Sequence, residues 1–326
     1  MRSVSVIAPS RLHFGLWSLA SAAGRQFGGV GVMIDEPGIR LVIRPASELS
    51  ATGPLAGRAI EFARRWAAFQ QQSPTPCYVE VVSAPPDHVG LGSGTQLALA
   101  VAAGLNAFQD LAVESPQELA SSVGRGLRSA VGTYGFLFGG LVVEQGKLPE
   151  EPISPLDFRL DVPTEWRFVL VRPRGLAGLA GEDEAEAIGA LPAVPAAITD
   201  ELIALAHEKI VPAAAIGDFD AFADSLYRYG RLAGEIFAAR QGGPYNGPVL
   251  AALVARIRAF GFSGVGQSSW GPTVFAAAPS HAEAERLTNR LRTGIAGDEL
   301  ELTIARPSRN GAQIEALALG ELATGR

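Results

Sequence analysis

The chain has 326 residues, enough for two domains that each bury a hydrophobic core. Hydrophobic residues make up 48% and charged residues 18% of the sequence, a composition typical of a folded enzyme and unlike that of a disordered chain. The formal net charge of -6 argues against nucleic acid as the main partner. With one cysteine and no apolar run of about 18 residues, we expect a cytoplasmic protein without disulfides or membrane spans.

The first half of the chain predicts strands and helices in an irregular order. A glycine-rich link at 28–32 separates the first two strands, and a second glycine-rich loop at 90–96 precedes an apolar helix. Ser115 is expected to cap the helix that begins with Pro116. The predicted elements are, in chain order, strands at 4–8 and 39–43, a helix at 55–72, a strand at 78–82, a helix at 97–111, a helix from 116, and a turn into a strand at 136–143.

A segment rich in proline and acidic residues at 149–163 is expected to separate two domains, residues 1–155 and residues 156–326. Because strands and helices mix without strict alternation, the expected class is α+β. The predicted elements of the second half are a strand at 166–171, helices at 183–190, 196–209, 218–240 and 249–260, a glycine/serine loop at 262–271, a strand at 273–277, a helix at 282–292 and a strand at 300–304.

The strongest functional signal is the loop Gly-Leu-Gly-Ser-Gly-Thr-Gln at 90–96. Its glycines let the backbone approach a ligand closely, and the N–H groups at the start of the following helix favour anions. That helix is apolar on nearly every side and must be buried, so its first N–H groups need partners. A phosphate or pyrophosphate is one such partner. A plain structural turn is the alternative.

Three motifs occur in a fixed order along the chain: Pro-Ser-Arg-Leu-His-Phe-Gly at 9–15, Pro-Asp-His-Val-Gly-Leu-Gly-Ser-Gly at 86–94, and Ser-Gly-Val-Gly-Gln-Ser-Ser-Trp-Gly-Pro-Thr at 263–273. Together they resemble the GHMP superfamily of small-molecule kinases, and the resemblance covers nearly the whole chain. It implies an N-terminal α+β domain that carries the phosphate loop, a ferredoxin-like C-terminal domain, and an active site between the two.

The departures from the kinase pattern point away from phosphoryl transfer. Kinases of the superfamily usually read Gly-Leu-Gly-Ser-Ser-Ala in the loop, whereas this chain has Gly-Thr-Gln at 94–96. The segment 124–132, where the kinases carry a catalytic aspartate, contains Arg125 and Arg128 and no carboxylate. The loss of a base and the gain of two cations suit the binding of anions better than the deprotonation of a hydroxyl.

This set of departures is similar to a non-kinase branch of the superfamily, the β-ribofuranosylaminobenzene 5'-phosphate synthases. The closer match runs through residues 11–15, 124–129 and 266–273. The resemblance implies a pentosyltransferase that condenses 4-aminobenzoate with phosphoribosyl pyrophosphate and releases CO2 and pyrophosphate, in tetrahydromethanopterin biosynthesis. Two alternatives stay open: an ATP-dependent small-molecule kinase, and a non-catalytic protein that binds a phosphometabolite.

The resemblance also implies roles for individual residues. The candidate catalytic residues are Arg11, His13, Arg125 and Arg128. A structural ion pair for Arg11, a satisfied core position for His13 and a solvated helix face for Arg125 are the competing interpretations. Trp270 is expected either to stack on the aromatic acceptor or simply to pack. The candidate substrate-binding residues are Gly90, Gly92, Ser93, Gly94, Thr95, Gln96, Ser129, Gln267, Ser268, Ser269 and Trp270.

Mg2+ is expected to bind through the pyrophosphate of the donor, and its protein ligands are left open. The reaction that the resemblance implies needs no organic cofactor as an electron sink, which agrees with the positions of the two lysines, Lys147 in a turn and Lys209 in a polar helical stretch. Anions beyond the reach of backbone amides must therefore be bound by arginines. The expected partners are phosphoribosyl pyrophosphate and 4-aminobenzoate, and a homodimer is compatible with the sequence.

Overall fold

The computed structural model consists of two sheets with helices packed against them, and it describes residues 2–19, 24–112, 115–176, 178, 191–294 and 299–317. The strands are β1 (Ser3–Leu16), β2 (Gly29–Pro45), β3 (Ser50–Thr52), β4 (Cys77–Ser83), β5 (Leu141–Glu144), β6 (Leu156–Leu160), β7 (Arg167–Pro173), β8 (Val265–Gln267), β9 (Val274–Ala278), β10 (Leu300–Ala305) and β11 (Gln313–Leu317). The helices are α1 (Ala56–Phe69), α2 (Ser93–Phe108), α3 (Pro116–Ser122), α4 (Val131–Phe138), α5 (Ala196–Leu205), α6 (Val211–Ile216), α7 (Phe219–Glu235), α8 (Ala238–Gln241), α9 (Gly247–Ala259) and α10 (His281–Gly294), with a π-helical turn (Ala206–Ile210) between α5 and α6. Across these described ranges, no helix is both long and apolar enough to cross a membrane.

The first sheet is organised around two long antiparallel strands. β1 and β2 pair from Val4 opposite Ile43 to Leu16 opposite Gly29. The strand order is β11-β1-β2-β4-β3, and β5 pairs with both β2 and β6. Helices α1 to α4 contribute to the core that covers one face of this sheet. α2 is buried along nearly its whole length, as its apolar sequence predicts.

The second sheet is antiparallel throughout, with the order β10-β7-β9-β8. α9 and α10 pack against it around Val171, Leu253 and Leu287. In chain order the strands of this sheet run 4-1-3-2, which is the arrangement of a ferredoxin-like domain. The predicted α+β class and the ferredoxin-like C-terminal domain are therefore confirmed.

Three local predictions differ from the structure. The glycine-rich link at 28–32 is strand from Gly29 onward, and a Cβ added there would lie 2.5 Å from the Gly15 carbonyl oxygen. Glycine is uncommon in strands, yet here it permits close packing against β1. The apolar helix begins at Ser93, so residues 93–96 form its first turn and not a loop. Residues 136–138 end helix α4, whose continuous apolar run is equally typical of a buried strand.

The ends of the first sheet contain two pairings that local patterns do not predict. β11 pairs with β1, and β6 pairs with β5. Because β6 begins at Leu156, the strand directly after the predicted domain boundary belongs to the first sheet, and the boundary at 155 stays a prediction. The cap predicted at Ser115 is confirmed, since its hydroxyl accepts from the Glu118 N–H at 3.1 Å. The helix predicted at 183–190 lies outside the described residues.

β1 also joins the two halves of the molecule. The ring centroids of Phe14 and Phe275 are 5.3 Å apart, and both side chains belong to one core cluster. The Tyr229 hydroxyl of α7 donates to the Gly15 carbonyl at 2.9 Å. These contacts fix the C-terminal part of β1 at the junction, next to the glycine loop and the second domain.

Candidate active site

A cavity of about 500 Å3 lies where β1, the glycine loop and the second domain meet. Its wall also includes residues of α1, of the segment 124–129 and of α7. Most of the residues predicted from sequence therefore line a single cavity. They are Arg11, His13, Gly90, Gly92, Ser93, Gly94, Thr95, Arg125, Arg128, Ser129, Gln267, Ser269 and Trp270.

The side chains of Gln96 and Ser268 are fully buried and are not part of the described cavity wall. Gln96 Nε2 donates to the Gly132 carbonyl at 2.9 Å. Ser268 Oγ donates to the Gly90 carbonyl at 2.7 Å and accepts from the His13 N–H at 3.1 Å. Both side chains hold the walls of the cavity together, and their predicted contact with substrate stays a prediction.

The glycine loop passes very close to the second domain. Gly90 has a φ of +88°, and a Cβ there would lie 2.3 Å from the Ser268 carbonyl oxygen. At the other end of the loop, Gly92 is the N-cap of α2, and no side chain of the described chain caps this helix. The Thr95 N–H donates back to the Gly92 carbonyl at 3.0 Å, so the N–H groups of Ser93 and Gly94, both in the cavity wall, are the ones available to a ligand.

The loop end of the cavity is strongly cationic. Arg58, Arg65 and Arg125 surround the Phe62 ring, with guanidinium carbons 5.5, 6.0 and 4.9 Å from its centroid. Burial, followed by the charges of Arg58 and Arg65, lowers the pKa of Arg125 to about 10, so this side chain is still cationic at neutral pH. A multiply charged anion would be stabilised here. The other arginines of the described wall are Arg11 and Arg128.

Arg58, Arg65 and Asp87 belong to this region although the motifs do not predict their roles. Arg58 forms an ion pair with Asp87, and a Cβ at Gly94 would lie 2.6 Å from the Arg58 Nη2 atom. Arg58, Phe62 and Arg65 follow one another on α1 at intervals of four and three residues, so they share a helix face. That spacing, next to a predicted phosphate loop, is the sequence signal that could have found them.

Arg11 connects the cationic end of the cavity to a buried polar group behind the wall. A Cβ at Gly92 would lie 3.4 Å from Arg11 Nε, so this side chain lies along the glycine loop. Its charge also lowers the pKa values of His13 and Glu144. The side chain therefore influences both the loop and the residues behind Ser129.

His13 is buried, and its neighbours set its tautomer. The Gly15 N–H donates to Nδ1 at 3.2 Å, so the ring proton lies on Nε2. Nε2 is 3.1 Å from Ser129 Oγ and donates to it. Burial, and then the charge of Arg11, lowers the pKa of His13 well below its usual value, so the ring is neutral at pH 7. His13 therefore acts as a neutral donor that fixes the hydroxyl of Ser129 at the cavity wall.

Glu144 is a buried carboxylate directly behind Ser129. It ends β5 and has no exposed surface. Its Oε2 accepts from the Ala130 N–H at 2.5 Å, and the hydroxyls of Ser129 and Ser154 also interact with the carboxylate. Burial raises the pKa of Glu144 to about 7, against the lowering effects of these hydrogen bonds and of Arg11.

The motifs do not predict the role of Glu144, but a signal for it exists. It is the acidic residue that closes the apolar run Leu-Val-Val-Glu at 141–144, all of which is buried. An ionisable group in such a strand costs free energy unless it has hydrogen-bond partners or a function. The segment 124–132 has no carboxylate of its own. Through the contact with Ala130, Glu144 of β5 places a carboxylate beside this segment.

A second part of the cavity wall, formed by Trp270 and Phe237 and called here the aromatic end, is apolar. The Trp270 ring is buried and meets Phe237 edge-on, with ring centroids 4.8 Å apart. Trp270 Nε1 is buried and has no hydrogen-bond partner in the described part of the chain, so it can donate to an oxygen of a ligand. Gln267 Oε1 accepts from the Asn246 N–H at 2.8 Å, and its Nε2 donates to the Ser269 carbonyl at 3.0 Å. These hydrogen bonds fix the loop that carries Trp270.

The described residues contain no group of three or more His, Cys, Asp or Glu side chains that could hold a metal ion. The carboxylates of the described wall are Glu61 and Asp87. Asp87 pairs with Arg58, and Ser93 Oγ lies 3.5 Å from Asp87 Oδ1. A metal ion here would need most of its ligands from the substrate, as Mg2+ on a pyrophosphate has.

Comparison with protein families and curated proteins connects this site to known enzymes. The GHMP kinases N terminal domain model matches residues 55–140, and the GHMP kinases C terminal model matches residues 210–296. Beta-ribofuranosylphenol 5'-phosphate synthase of Archaeoglobus fulgidus is 31% identical over 94% of this chain and 98% of its own. The synthase of the same name from Methanothermobacter thermautotrophicus is 30% identical over 82% of this chain and 86% of its own. These similarities support an enzyme of transferase type related to the synthases.

Solved structures share the fold at lower identity. Homoserine kinase from Cytophaga hutchinsonii superposes with a TM-score of 0.65 at 16% identity, over 96% of this chain and 97% of its own. Mevalonate kinase from Methanococcus jannaschii has a TM-score of 0.66 at 13% identity, over 93% and 98% of the two chains. At these identities the likeness concerns the two-domain fold alone.

Proposed function

This chain belongs to the GHMP superfamily, and on that premise we propose that it is a decarboxylating pentosyltransferase. It joins a para-substituted benzoate to the ribose of phosphoribosyl pyrophosphate and releases CO2 and pyrophosphate. The observation that supports this proposal best is that one cavity is lined both by a cluster of arginines and by aromatic rings. The first suits a donor with several phosphate groups, and the second suits a flat ring.

The cationic end binds the donor. Its pyrophosphate lies at the N-terminus of α2, where Arg58 and Arg125 reach it. Departure of pyrophosphate leaves an oxocarbenium-like ribose, so stabilisation of negative charge on the leaving group is the main electrostatic task. Arg58 must exchange part of its ion pair with Asp87 for the phosphate oxygens, and the released carboxylate then faces the bound donor.

The aromatic end binds the acceptor, along Phe14, Phe237 and Trp270. Because the carboxyl group of the acceptor leaves as CO2, a guanidinium that held it tightly would stabilise the ground state and slow its loss. The arginines are therefore assigned to the phosphates of the donor, and a neutral donor such as Trp270 Nε1 is assigned to orient the acceptor.

The name of the related synthases bears on the acceptor. Their product is a ribofuranosylphenol, whose ring carries a hydroxyl where the product of 4-aminobenzoate would carry an amine. In 4-hydroxybenzoate and in 4-aminobenzoate alike, the para substituent pushes electrons to the ring carbon that bears the carboxyl group. That carbon attacks the sugar, and loss of CO2 restores aromaticity. Both acids are therefore test acceptors.

Mg2+ fits the donor end as an ion held mainly by phosphate oxygens. When bound there it would neutralise charge on the departing pyrophosphate, with Asp87 and Ser93 as the protein oxygens that could reach it. The other tasks belong to the chain itself: the arginines bind and orient the donor, and the aromatic wall excludes water from the reacting carbons.

The test is to mix the protein with phosphoribosyl pyrophosphate, Mg2+ and either benzoate and to measure CO2 and pyrophosphate. We expect the two products in equal amounts, because attack by the carboxyl-bearing carbon commits both departures. Pyrophosphate without CO2 would mean attack by the amine or hydroxyl of the acceptor, and the proposed reaction would be wrong.

An ATP-dependent small-molecule kinase is the second candidate, favoured by the match to the GHMP kinases N terminal and C terminal models. It predicts steady ATP turnover with a small alcohol and no CO2 from either benzoate. A binding protein without catalytic activity predicts tight binding of phosphoribosyl pyrophosphate, no turnover, and an effect of Arg125→Ala on affinity alone. The product assay, an ATP-turnover assay and a binding titration with phosphoribosyl pyrophosphate together separate the three.

A further inference from the structure

We propose that Ser129 and Glu144 form a proton acceptor for a hydroxyl group on the aromatic substrate, with His13 as the positioning residue. This inference rests on the proposed function, because it concerns the acceptor of that reaction. Ser129 would touch the substrate, whereas Glu144 acts through Ser129 and receives the proton.

The first argument is the position of Ser129 between the cavity and the buried acid. Ser129 lines the cavity, and Ala130 directly after it donates its N–H to Glu144, which does not line the cavity and has no exposed surface. The Glu144 Oε1 atom has no well-directed hydrogen bond within the described chain, although Oε2 accepts from the Ala130 N–H. A carboxylate that is buried behind a cavity-lining hydroxyl, with one oxygen not fully satisfied, is arranged to take up a proton.

The second argument is the direction of the hydrogen bonds. Since Nδ1 of His13 accepts from the Gly15 N–H, Nε2 must donate to Ser129 Oγ. The hydroxyl proton of Ser129 is then free to point to Glu144, and Ser129 Oγ can accept from a substrate hydroxyl. The only competing donor to this oxygen in the described structure is the Val131 N–H, at 3.3 Å, which a substrate hydroxyl can displace.

The third argument is chemical. When a phenol attacks through its para carbon, its O–H proton passes to Ser129 Oγ while the Ser129 proton passes to the Glu144 carboxylate. The ring carbon then bonds to C1 of the ribose as the C1–oxygen bond to pyrophosphate breaks. Loss of CO2 returns its bonding electron pair to the ring, and the phenolate takes the proton back. An aniline needs no such transfer, because its nitrogen lone pair pushes electrons without prior loss of a proton.

The groups around Glu144 are compatible with this role. The charge of Arg11 of β1 lowers the pKa of Glu144, and His13 of the same strand reaches Ser129 as a neutral ring. Burial, together with the nearby charge of Glu144, raises the pKa values of Tyr134 of α4 and Tyr229 of α7. Both tyrosines are therefore protonated at neutral pH, so Arg11 is the charged neighbour that stabilises the ionised carboxylate.

The experiment compares wild type with Glu144→Gln on three acceptors: 4-hydroxybenzoate, 3,5-difluoro-4-hydroxybenzoate and 4-aminobenzoate. The fluorinated acid has a more acidic phenol and needs less help from a base. The readout is kcat/KM from CO2 release. We expect a loss of roughly a hundredfold on 4-hydroxybenzoate, the lower range for general base catalysis, a smaller loss on the fluorinated acid, and a loss under about threefold on 4-aminobenzoate.

Ser129→Ala should reproduce this order of losses, and Ser129→Thr, which keeps a hydroxyl, should restore most of the activity on 4-hydroxybenzoate. Ser154→Ala is the matched control, because it removes a hydroxyl beside the same carboxylate but outside the described cavity wall. It should affect all three acceptors alike. Thermal unfolding of each variant shows whether the fold is retained, and the ratio between acceptors remains informative for a partly destabilised protein.

The failure of this inference differs from the failure of the proposed function. Equal losses of Glu144→Gln on all three acceptors, or wild-type turnover of 4-aminobenzoate alone, would overturn the role of Glu144 and leave the transferase intact. If wild type releases no CO2 from any of the three acids, the proposed reaction itself is wrong, and so is the proposed proton acceptor.

Discussion

The two polar regions of the cavity handle charge in opposite ways. At the loop end, arginines line the cavity, and Arg125 keeps its charge at neutral pH although burial lowers its pKa to about 10. Behind Ser129, a single carboxylate is fully buried, and its pKa is raised to about 7. Permanent charge suits binding, whereas a charge that changes near neutral pH suits proton transfer.

The partners of each region explain the difference. Arg58 and Arg65 have carboxylate partners that remain partly exposed, so water shares in the stabilisation of these ion pairs. Glu144 has hydroxyls, one backbone N–H and the nearby Arg11, and no exposed surface. Substitutions at the two ends should therefore differ in their dependence on acceptor and on pH.

The largest effect is expected for Arg125→Ala at the cationic end. Loss of a guanidinium that makes charge-assisted hydrogen bonds to a phosphate group should cost about 3 kcal/mol, or about 150-fold in kcat/KM for phosphoribosyl pyrophosphate. Steady-state kinetics should show the same loss with 4-hydroxybenzoate and 4-aminobenzoate, in contrast to Glu144→Gln. Arg65→Ala, whose guanidinium lies farther from the Phe62 centroid, is the control and should lose less. A loss confined to one acceptor would show that Arg125 binds the benzoate.

The buried carboxylate should make folding stability depend on pH. Below the ordinary pKa of 4.5, Glu144 is protonated in the folded and the unfolded protein alike, so its titration does not change the free energy of unfolding. Between pH 4.5 and about 7, only the unfolded protein loses this proton, so the folded protein becomes less stable as the pH rises. The full loss, present above pH 7, is at most roughly 3 kcal/mol for a shift of this size. Urea unfolding at pH 5 and pH 8 should show wild type losing stability relative to Glu144→Gln. A constant difference between the two proteins would mean that Glu144 titrates normally.

A smaller effect is expected for Arg128→Lys. Lysine keeps the charge and most of the stem but cannot reproduce a two-pronged guanidinium contact. If Arg128 binds an anion in this way, the change should cost about 1.5–3 kcal/mol, roughly ten- to a hundredfold in kcat/KM. The measurement is steady-state kinetics for both substrates on a variant whose melting temperature matches wild type. Wild-type kinetics of the variant for both substrates would show that the role of Arg128 is structural.

The parts of the site that local motifs describe could be predicted from sequence. The glycine loop, Arg125 and Ser129 line the cavity because each lies in a short segment whose spacing fixes its position. Gln96 is in the same motif, but α2 begins earlier than expected, at Ser93, which turns the Gln96 side chain into the core.

The parts that depend on packing between distant segments could not be predicted in this way. Glu144 reaches Ala130 because β5 passes behind the start of α4, and the Arg58 ion pair with Asp87 joins α1 to the loop. The pairing of β11 with β1 is equally non-local. In each case the local residues are compatible with several positions, and tertiary contacts select one.

The smallest effect is expected for Trp270→Phe at the aromatic end. Phenylalanine keeps an aromatic ring against Phe237 and removes the Nε1 donor, which has no partner in the described structure. If Nε1 donates to the acceptor, its loss should cost about 1 kcal/mol, or roughly fivefold, in the KM of the benzoate. The KM of phosphoribosyl pyrophosphate should stay the same, because arginines and not Trp270 are proposed to bind it. Titration of each substrate at saturating levels of the other measures the two constants separately. An unchanged KM for the benzoate would show that Trp270 only packs against its neighbours. A raised KM for phosphoribosyl pyrophosphate would indicate that the ribose of the donor binds next to Trp270.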